Sequence, residues 1–198
     1  MVLLDTYQHP ERDRREIERG SLKELAGSAV EPPGGDAPNH VRLRAWDVGD
    51  GCRFFTIQGR GVRVRRLSSR FSSSATPNIS SSIQAPGHAR FSQTGQDELA
   101  SSGGMYLAEM TEVYTWQSSG SGDGATFQIP LEVMDVPPPG VKNAAQQLIR
   151  RPVNELARQH LLTLSCYNEA FDPPQSSARQ PAIHLLRAPV KSFSTDQT

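Results

Sequence analysis

The stretch MYLAEMTEVYTWQSSGSGDGATFQIPLEV, residues 105–133, carries the clearest fold signal in the chain. Apolar and aromatic side chains alternate with polar ones on both sides of a Ser/Gly-rich connection at residues 118–124. A period of two is typical of β-strands with one buried face. The pattern predicts a long hairpin of residues 105–116 and 127–133, with matching apolar faces at the centre of the core. Because proline cannot donate a ladder hydrogen bond, Pro130 predicts that the return strand lies at a sheet edge or carries a bulge.

Three shorter alternating segments precede this hairpin and are joined by glycine-containing turns. The segments are residues 41–46, 52–57 and 62–67, with an Asp-Gly turn at residues 50–51 and a Gly-Arg-Gly turn at residues 59–61. Glycine and Asp-Gly supply the positive φ angles that tight hairpin turns need. The pattern predicts an antiparallel meander of three strands.

A serine-rich stretch interrupts the β pattern. Residues 68–82 contain eight serines and little apolar side chain, and the low-complexity character continues to residue 104. Such a segment cannot offset its ordering entropy by burying apolar surface. The composition predicts a mobile loop over residues 68–104, with one short strand at residues 89–92.

The N-terminal region has helical and linker signals. A dense charge block at residues 11–19 and the capping-box spacing of Ser21 and Glu24 predict a helical arm, and the Pro/Gly-rich residues 31–38 predict a linker. With few apolar residues, the arm fits a solvated helix or one that docks on a partner chain.

The C-terminal third has a helical period from Val141 to Phe171. Pro152 either kinks one helix or begins a second as its first-turn residue. A short strand is predicted at residues 182–187, before a polar tail.

These signals predict one folded domain with extensions on both sides. Residues 1–38 form the helical arm and linker, residues 39–187 form a single β-rich core with the serine-rich loop at 68–104, and residues 188–198 form the tail. The expected fold class is α+β: five to seven mainly antiparallel strands in a sandwich or rolled sheet, closed by a C-terminal helical segment.

Charge and hydropathy exclude several classes of protein. The 21 basic and 21 acidic side chains cancel, which excludes binding to nucleic acid or membrane through bulk charge alone. No apolar run approaches the roughly 20 residues that a membrane-spanning helix needs, and the first residues have no signal-peptide core. We therefore expect a location in the cytoplasm or within an assembled particle.

Recognisable catalytic and metal-binding motifs are missing from the sequence. The five histidines are widely separated, and neither Cys52 nor Cys166 lies close to one, so no metal site is predicted. The sequence has no Gly-x-Ser-x-Gly elbow and no phosphate-binding loop. We predict buried free thiols, no cofactor and no enzymatic activity.

The concentrated charge feature is a run of arginines without an intervening acid. On a strand, Arg63 and Arg65 project to one face while Val62 and Val64 pack on the other. Arginine forks suit phosphate or carboxylate, although an ordinary solvated sheet face fits the same pattern. The candidate residues for binding nucleic acid or an acidic partner are Arg42, Arg44, Arg60, Arg63, Arg65, Arg66 and Arg70, with Phe71 available for stacking.

A candidate modification site follows the arginine run. Residues 65–68, Arg-Arg-Leu-Ser, resemble the substrate pattern of basophilic protein kinases. Phosphorylation of Ser68 would add negative charge beside the arginines and could mask them.

Three functions fit these observations. The leading interpretation is a non-enzymatic structural or interaction subunit of a viral, phage or organellar particle, with protein partners or self-assembly. The first alternative is a nucleic-acid-binding module that uses the arginine strand. The second is a small-ligand carrier, in which a curled sheet encloses a cavity lined by Tyr106, Tyr114, Trp116 and Phe127.

Overall fold

Antiparallel β-structure dominates the molecule. A computed structural model of the chain describes residues 2–10, 12–14, 16–17, 29–31, 41–59, 61–66, 77–84, 87–119, 123–134, 152–166 and 184. Within them the strands are β1 (Val2–Asp5), β2 (Ala29–Glu31), β3 (Val41–Gly49), β4 (Cys52–Gly59), β5 (Arg63–Arg66), β6 (Asn78–Gln84), β7 (His88–Gln93), β8 (Gln96–Ala100), β9 (Met105–Glu109), β10 (Tyr114–Ser119) and β11 (Gly124–Pro130). The helical elements are a 3₁₀ turn (Thr6–Gln8), α1 (Leu131–Met134) and α2 (Pro152–Cys166).

The described strands form two sheets. Sheet A has six strands in the order β1-β3-β4-β11-β6-β9, and sheet B has five in the order β2-β5-β10-β7-β8. Neighbouring strands run antiparallel in both sheets. The predicted fold class, mainly antiparallel β-structure with a few helices, is confirmed.

Alternation of side chains along the strands of sheet A divides the core in two. One face, which we call the outer face, carries Phe54 and Phe127 and packs under α1 and α2 through Met134 and Leu161. The opposite, inner face carries side chains such as Phe55 and contacts the apolar side chains of sheet B. The inner face is relevant to function because it forms one wall of the space between the two sheets.

The first predicted hairpin is confirmed, but the three-stranded meander is wrong. Strands β3 and β4 pair around a turn in which Asp50 (φ 53°) and Gly51 (φ 72°) take the positive φ angles that the Asp-Gly sequence predicts. Strand β5 instead pairs with β2 and β10 in sheet B. Val62, just before β5, is held there because its N–H donates to Ser118 Oγ (3.0 Å) and its carbonyl accepts from the Ser118 N–H (2.9 Å).

The predicted long hairpin is also wrong, because its first strand breaks in two. Strand β9 belongs to sheet A and ends at Glu109, whose carbonyl accepts a hydrogen bond from the Glu112 N–H (3.2 Å) in a turn. The chain then crosses to sheet B as β10, while β11 returns to the middle of sheet A. The polar Glu112, which interrupts the apolar alternation, lies in the segment that passes from sheet A to sheet B.

Pro130 lies neither at a sheet edge nor at a bulge. Strand β11 runs between β4 and β6, and Pro130 is its last residue, opposite Asn78. The next N–H, that of Leu131, donates toward the β6 side, to the Pro77 carbonyl (2.9 Å). Because successive N–H groups point to opposite sides of a strand, the N–H that Pro130 lacks would point toward β4, beyond the end of that pairing at Gln128.

The prediction of a long serine-rich loop is wrong over residues 77–84 and 87–104. Strands β6, β7 and β8 lie in this stretch, and β7 includes the short strand predicted at residues 89–92. Ile79 and Ile83 pack in the outer core of sheet A, and β6 pairs with β11 on one side and β9 on the other. Residues 68–76 lie outside the described part of the chain.

Two strands lie in the N-terminal region for which an arm and a linker are predicted, and residues 32–38 of that linker lie outside the described residues. Residues 12–14 and 16–17 are helical, as predicted, but β1 pairs with β3 and β2 pairs with β5. The Val41 N–H donates to Thr6 Oγ1 (2.8 Å), and the Thr6 hydroxyl donates to the Val41 carbonyl (3.1 Å). Backbone pairing therefore incorporates this region into both sheets.

Helix α2 begins at Pro152, which confirms the first-turn alternative for that proline. Leu161 is fully buried against sheet A, and desolvation lowers the pKa of the neighbouring His160. His184, in the segment predicted to be a last strand, is helical, and the polar tail lies outside the described residues.

Candidate ligand-binding site

A cavity of about 100 Å³ lies between the inner faces of the two sheets. Most of the surface that it exposes is apolar. The lining residues are Leu43, Phe55, Ile57, Val64, Ser80, Ser82, Ile83, Tyr106, Ala108, Tyr114, Trp116, Gly124, Thr126 and Gln128. A volume of this order accommodates a single small ring or a few water molecules.

The sheet A wall of the cavity has an apolar part from β3 and β4 and a polar part from β11, β6 and β9. Thr126 pairs with Ser82, and Ser82 pairs with Tyr106, so three hydroxyl side chains form one row across three strands. Ser82 Oγ lies 2.8 Å from Thr126 Oγ1, and the Tyr106 hydroxyl is hydrogen-bonded to Ser82. We call Thr126, Ser82 and Tyr106 the hydroxyl row.

A second polar row runs beside the hydroxyl row. Gln128 pairs with Ser80, and Ser80 pairs with Ala108, and all three residues line the cavity. Alternation along β6 explains this, because Ser80 and Ser82 point inward while Ile79 and Ile83 anchor the outer face. The inner face of sheet A is thus polar at its centre.

The opposite wall is aromatic and comes from sheet B. Tyr114 and Trp116 project inward from β10, and Val64 projects inward from β5. Trp116 is 5% exposed, and its Nε1 makes no hydrogen bond to any described residue. Behind the cavity, Phe91 stacks on Tyr106 with ring centroids 4.8 Å apart.

The electrostatics of the cavity are those of a neutral site. Among the described lining residues none is Asp, Glu, His, Lys, Arg or Cys. Burial raises the pKa of Tyr106 above its usual range, so its phenol stays protonated at physiological pH. The wall therefore offers hydroxyl, amide and indole groups, which donate or accept hydrogen bonds without carrying charge.

Three of the four aromatic residues predicted for a ligand carrier do line this cavity: Tyr106, Tyr114 and Trp116. Phe127 does not, because it lies on the outer face of β11 in the core beneath α2. The serines of β6, together with Thr126 and Gln128, were missed. The spacing of Ile79 and Ile83 is a weak signal for them, because an interval of four residues fits one face of a strand and one face of a helix equally.

The predicted arginine patch does not form one surface. Arg63 and Arg65 project outward from sheet B, whereas Arg66 is 8% exposed and lies on the inward side of β5 with Val62 and Val64. Desolvation lowers the pKa of the Arg66 guanidinium, and the charge of Tyr114 partly opposes that shift.

Arg42 and Arg44 lie in β3 of sheet A, separate from the arginines of β5. The Arg42 guanidinium contacts Asp5 through its Nη2 and Nε atoms, both at 2.9 Å, and lies over the Tyr7 ring. Arg60, Arg70, Phe71 and the candidate modification site Ser68 fall outside the described residues. Their predicted roles stay predictions.

The metal and cysteine predictions concern other parts of the molecule. Cys52 is buried, as predicted, and the side chain of Cys166 is outside the described part. Among the residues that the structure describes, no cluster of three or more His, Cys, Asp or Glu side chains could hold a metal ion. None of the described helices is long and apolar enough to cross a membrane.

An antiparallel β-sandwich that encloses a ligand-sized cavity is the class defined by this fold and site. The structure is similar to the crystal structure of the AraC-like transcriptional activator CuxR, with a TM-score of 0.75 and 12% sequence identity. The similarity covers 95% of this chain and 69% of that chain.

Other solved structures are similar over smaller parts of the chain. The cupin domain of Schizosaccharomyces pombe Cnp3 matches with a TM-score of 0.38 and 11% identity over 46% of this chain and 67% of that chain. An HTH_3 family transcriptional regulator from Vibrio cholerae matches with a TM-score of 0.39 and 10% identity over 59% of each chain. No protein-family model matches the sequence. No curated protein matches it either.

These findings contradict the predicted role as a structural subunit of a virion or other particle. The structure that shares the fold over 95% of the chain is a transcriptional activator. The prediction relied on N-terminal arms and a serine-rich loop that would need a partner chain to order them. Strands β1, β2 and β6 are instead ordered by pairing within the chain.

Proposed function

We propose that this chain is a small-molecule-binding domain that senses a ligand between sheets A and B and serves the regulation of transcription. The observation that carries the proposal is the cavity of about 100 Å³ in which the hydroxyl row faces Tyr114 and Trp116. Ligand sites combine an apolar, aromatic lining with a few polar groups that orient the ligand, and this cavity has both.

The energetics of the cavity support a binding role. A buried indole N–H without a partner, as at Trp116, costs about 1–3 kcal/mol. Packing for stability alone would favour larger apolar residues at Ser80 and Ser82, so the arrangement fits selection for a ligand.

The lining favours binding over catalysis. General acid–base and nucleophilic catalysis need a titratable group near the operating pH or a nucleophile beside a base. The hydroxyls of Ser82 and Thr126 bond to each other, and no described lining residue is a histidine or carboxylate that could activate them. We therefore propose a non-enzymatic domain.

The role in transcription is supported by the similarity in fold to an AraC-like transcriptional activator over 95% of this chain. In a regulator of this kind, the ligand would shift the equilibrium between two states that differ in their affinity for DNA. Self-association and contacts with other protein partners belong to the same proposal.

Filling the cavity should abolish ligand-induced stabilisation. A ligand at one hundred times its dissociation constant should stabilise the protein by about 2.7 kcal/mol, a rise in Tm of about 5–10 °C for a chain of this size. In Ala108→Phe the larger ring occupies the space beside Ser80, and the rise should disappear. Thermal unfolding against a library of small uncharged and charged compounds measures the effect.

Gln117→Ala, on the outward face of β10, is the control and should keep the full ligand response. Should Ala108→Phe fail to fold, Val64→Leu fills part of the same space with a smaller change. A compound that stabilises Ala108→Phe as much as the parent protein binds elsewhere, and such a result would contradict the proposed site.

Contact with nucleic acid through the outward face of sheet B is a second candidate. Arg63 pairs with Gln117, and Gln117 pairs with Arg90, so two arginines flank one glutamine across three strands. The Gln117 Oε1 accepts hydrogen bonds from Arg63 Nη2 (2.6 Å) and Nε (3.1 Å), which orients the guanidinium. Asp97, which hydrogen-bonds Ser92 on the same sheet, reduces the positive charge nearby.

Salt dependence tests this second candidate. Binding to a single-stranded or duplex oligonucleotide should weaken as salt rises, and removing one arginine that pairs with a phosphate should reduce the slope of log K against log salt by about 1. We expect Arg63→Ala and Arg90→Ala each to lower the slope, whereas Arg53→Ala, exposed on sheet A, should not. Undetectable binding at low salt would rule this candidate out.

A further inference from the structure

We infer that the ligand of the cavity is an uncharged compound with a flat apolar body and a hydroxyl or carbonyl group on one edge. The inference rests on the proposed function and names the chemical class of ligand that the same cavity would take. It follows from the charge of the lining, the hydroxyl row, the aromatic wall and the volume.

The charge of the lining excludes an ion as the preferred ligand. None of the described residues that line the cavity carries a formal charge at neutral pH. An ion moved from water into such a site loses its hydration without gaining a counter-charge from the lining, which costs several kcal/mol or more. The buried Arg66 pairs with Tyr114 next to the lining, and a carboxylate probe therefore belongs in the test. An uncharged molecule does not meet this penalty.

The hydroxyl row selects for a polar group on one edge of the ligand. Thr126, Ser82 and Tyr106 each have one O–H, and their two mutual hydrogen bonds use two of the three hydrogens. One donor hydrogen and several acceptor lone pairs remain on this wall. A ligand hydroxyl or carbonyl placed against it replaces the hydrogen bonds that the ligand made to water.

The wall of sheet B selects for the rest of the ligand. Tyr114, Trp116 and Val64 line the cavity from sheet B and give this wall an aromatic and apolar surface. Offset stacking on aromatic rings favours a flat partner. With a volume of about 100 Å³, the cavity takes a single substituted ring.

Three matched probes test the ligand class: p-cresol, toluene and p-toluate. They share a methylated ring and differ in carrying a hydroxyl, no polar group or a carboxylate. Because only two tryptophans occur in the chain, titration can follow the indole N–H resonance of Trp116 by NMR. We expect p-cresol to bind about tenfold more tightly than toluene, as one satisfied hydrogen bond implies, and p-toluate to bind more weakly than either.

Threonine-to-valine variants at two positions locate the preference for the hydroxyl. Thr126→Val removes one member of the hydroxyl row at nearly constant volume, and the preference for p-cresol should fall below about threefold. Thr115→Val makes the same change on the outward face of β10 and should leave the tenfold preference unchanged. Ser82→Ala removes the central hydroxyl and provides the same test if Thr126→Val does not fold.

The outcomes separate the ligand class from the proposed function. Equal affinities for p-cresol and toluene, or tighter binding of p-toluate, would overturn the ligand class while leaving the cavity as a binding site. A tenfold preference that persists in both Thr126→Val and Ser82→Ala would overturn the role of the hydroxyl row. If no probe binds and Ala108→Phe also leaves the ligand screen unchanged, the proposed function itself fails.

Discussion

Replacing Phe127 by alanine should lower the free energy of unfolding by about 3–5 kcal/mol. Phe127 is 0% exposed, at the centre of the outer core, with its ring centroid 6.4 Å from that of Phe54. Its removal leaves a cavity between β11 and α2 that Leu161 and its neighbours can fill only in part. Equilibrium denaturation with urea, followed by far-ultraviolet circular dichroism, measures the change.

Leu99→Ala is the control for this prediction, because Leu99 is 75% exposed and its truncation should change stability by less than about 0.5 kcal/mol.

The Phe127→Ala variant also tests which face of β11 lines the cavity. Since Phe127 lies opposite the cavity, Phe127→Ala should bind p-cresol as the parent protein does at temperatures where it is folded. A specific loss of binding would contradict the assignment of Phe127 to the outer core.

The period of two along β3, β4 and β11 could be predicted from the sequence because local alternation determines which side chains share a face. The Asp50-Gly51 turn was predictable for the same reason, since positive φ at a tight turn is a local requirement. The sheet to which each strand belongs could not be predicted from such local patterns. Strands β9, β10 and β11 follow one another in the chain, yet the middle one belongs to the other sheet, and pairing partners depend on contacts far apart in sequence.

The aromatic residues of the candidate site could be predicted from the sequence, and the serines could not. Tyr106, Tyr114 and Trp116 stand out in any sequence because large aromatic residues are buried in cores or cavities. Ser80 and Ser82 do not, because serine is common in loops and low-complexity sequence. Their position on the inner face of β6 depends on pairing with β11 and β9, which only the tertiary structure defines.

Replacing Gln93 by leucine should lower the free energy of unfolding by about 1–3 kcal/mol. Gln93 lies in β7 of sheet B, and its side-chain amide bonds to the backbone of Glu109 in β9, the edge strand of sheet A. Gln93 Nε2 donates to the Glu109 carbonyl (2.8 Å), and the Glu109 N–H donates to Gln93 Oε1 (3.0 Å). The Gln93 side chain thus makes the hydrogen bonds to Glu109 that a neighbouring strand would make, and it connects the two sheets.

The cost arises because leucine leaves the half-buried Glu109 N–H without its Gln93 acceptor, while the Glu109 carbonyl loses one donor and keeps the Glu112 N–H. Gln96→Leu makes the same change at an exposed position in β8 and should alter stability by less than about 0.5 kcal/mol. Hydrogen exchange at the Glu109 amide provides a local measurement, and protection should fall in Gln93→Leu and persist in Gln96→Leu. Unchanged protection in Gln93→Leu would show that the two sheets are held together by apolar packing alone.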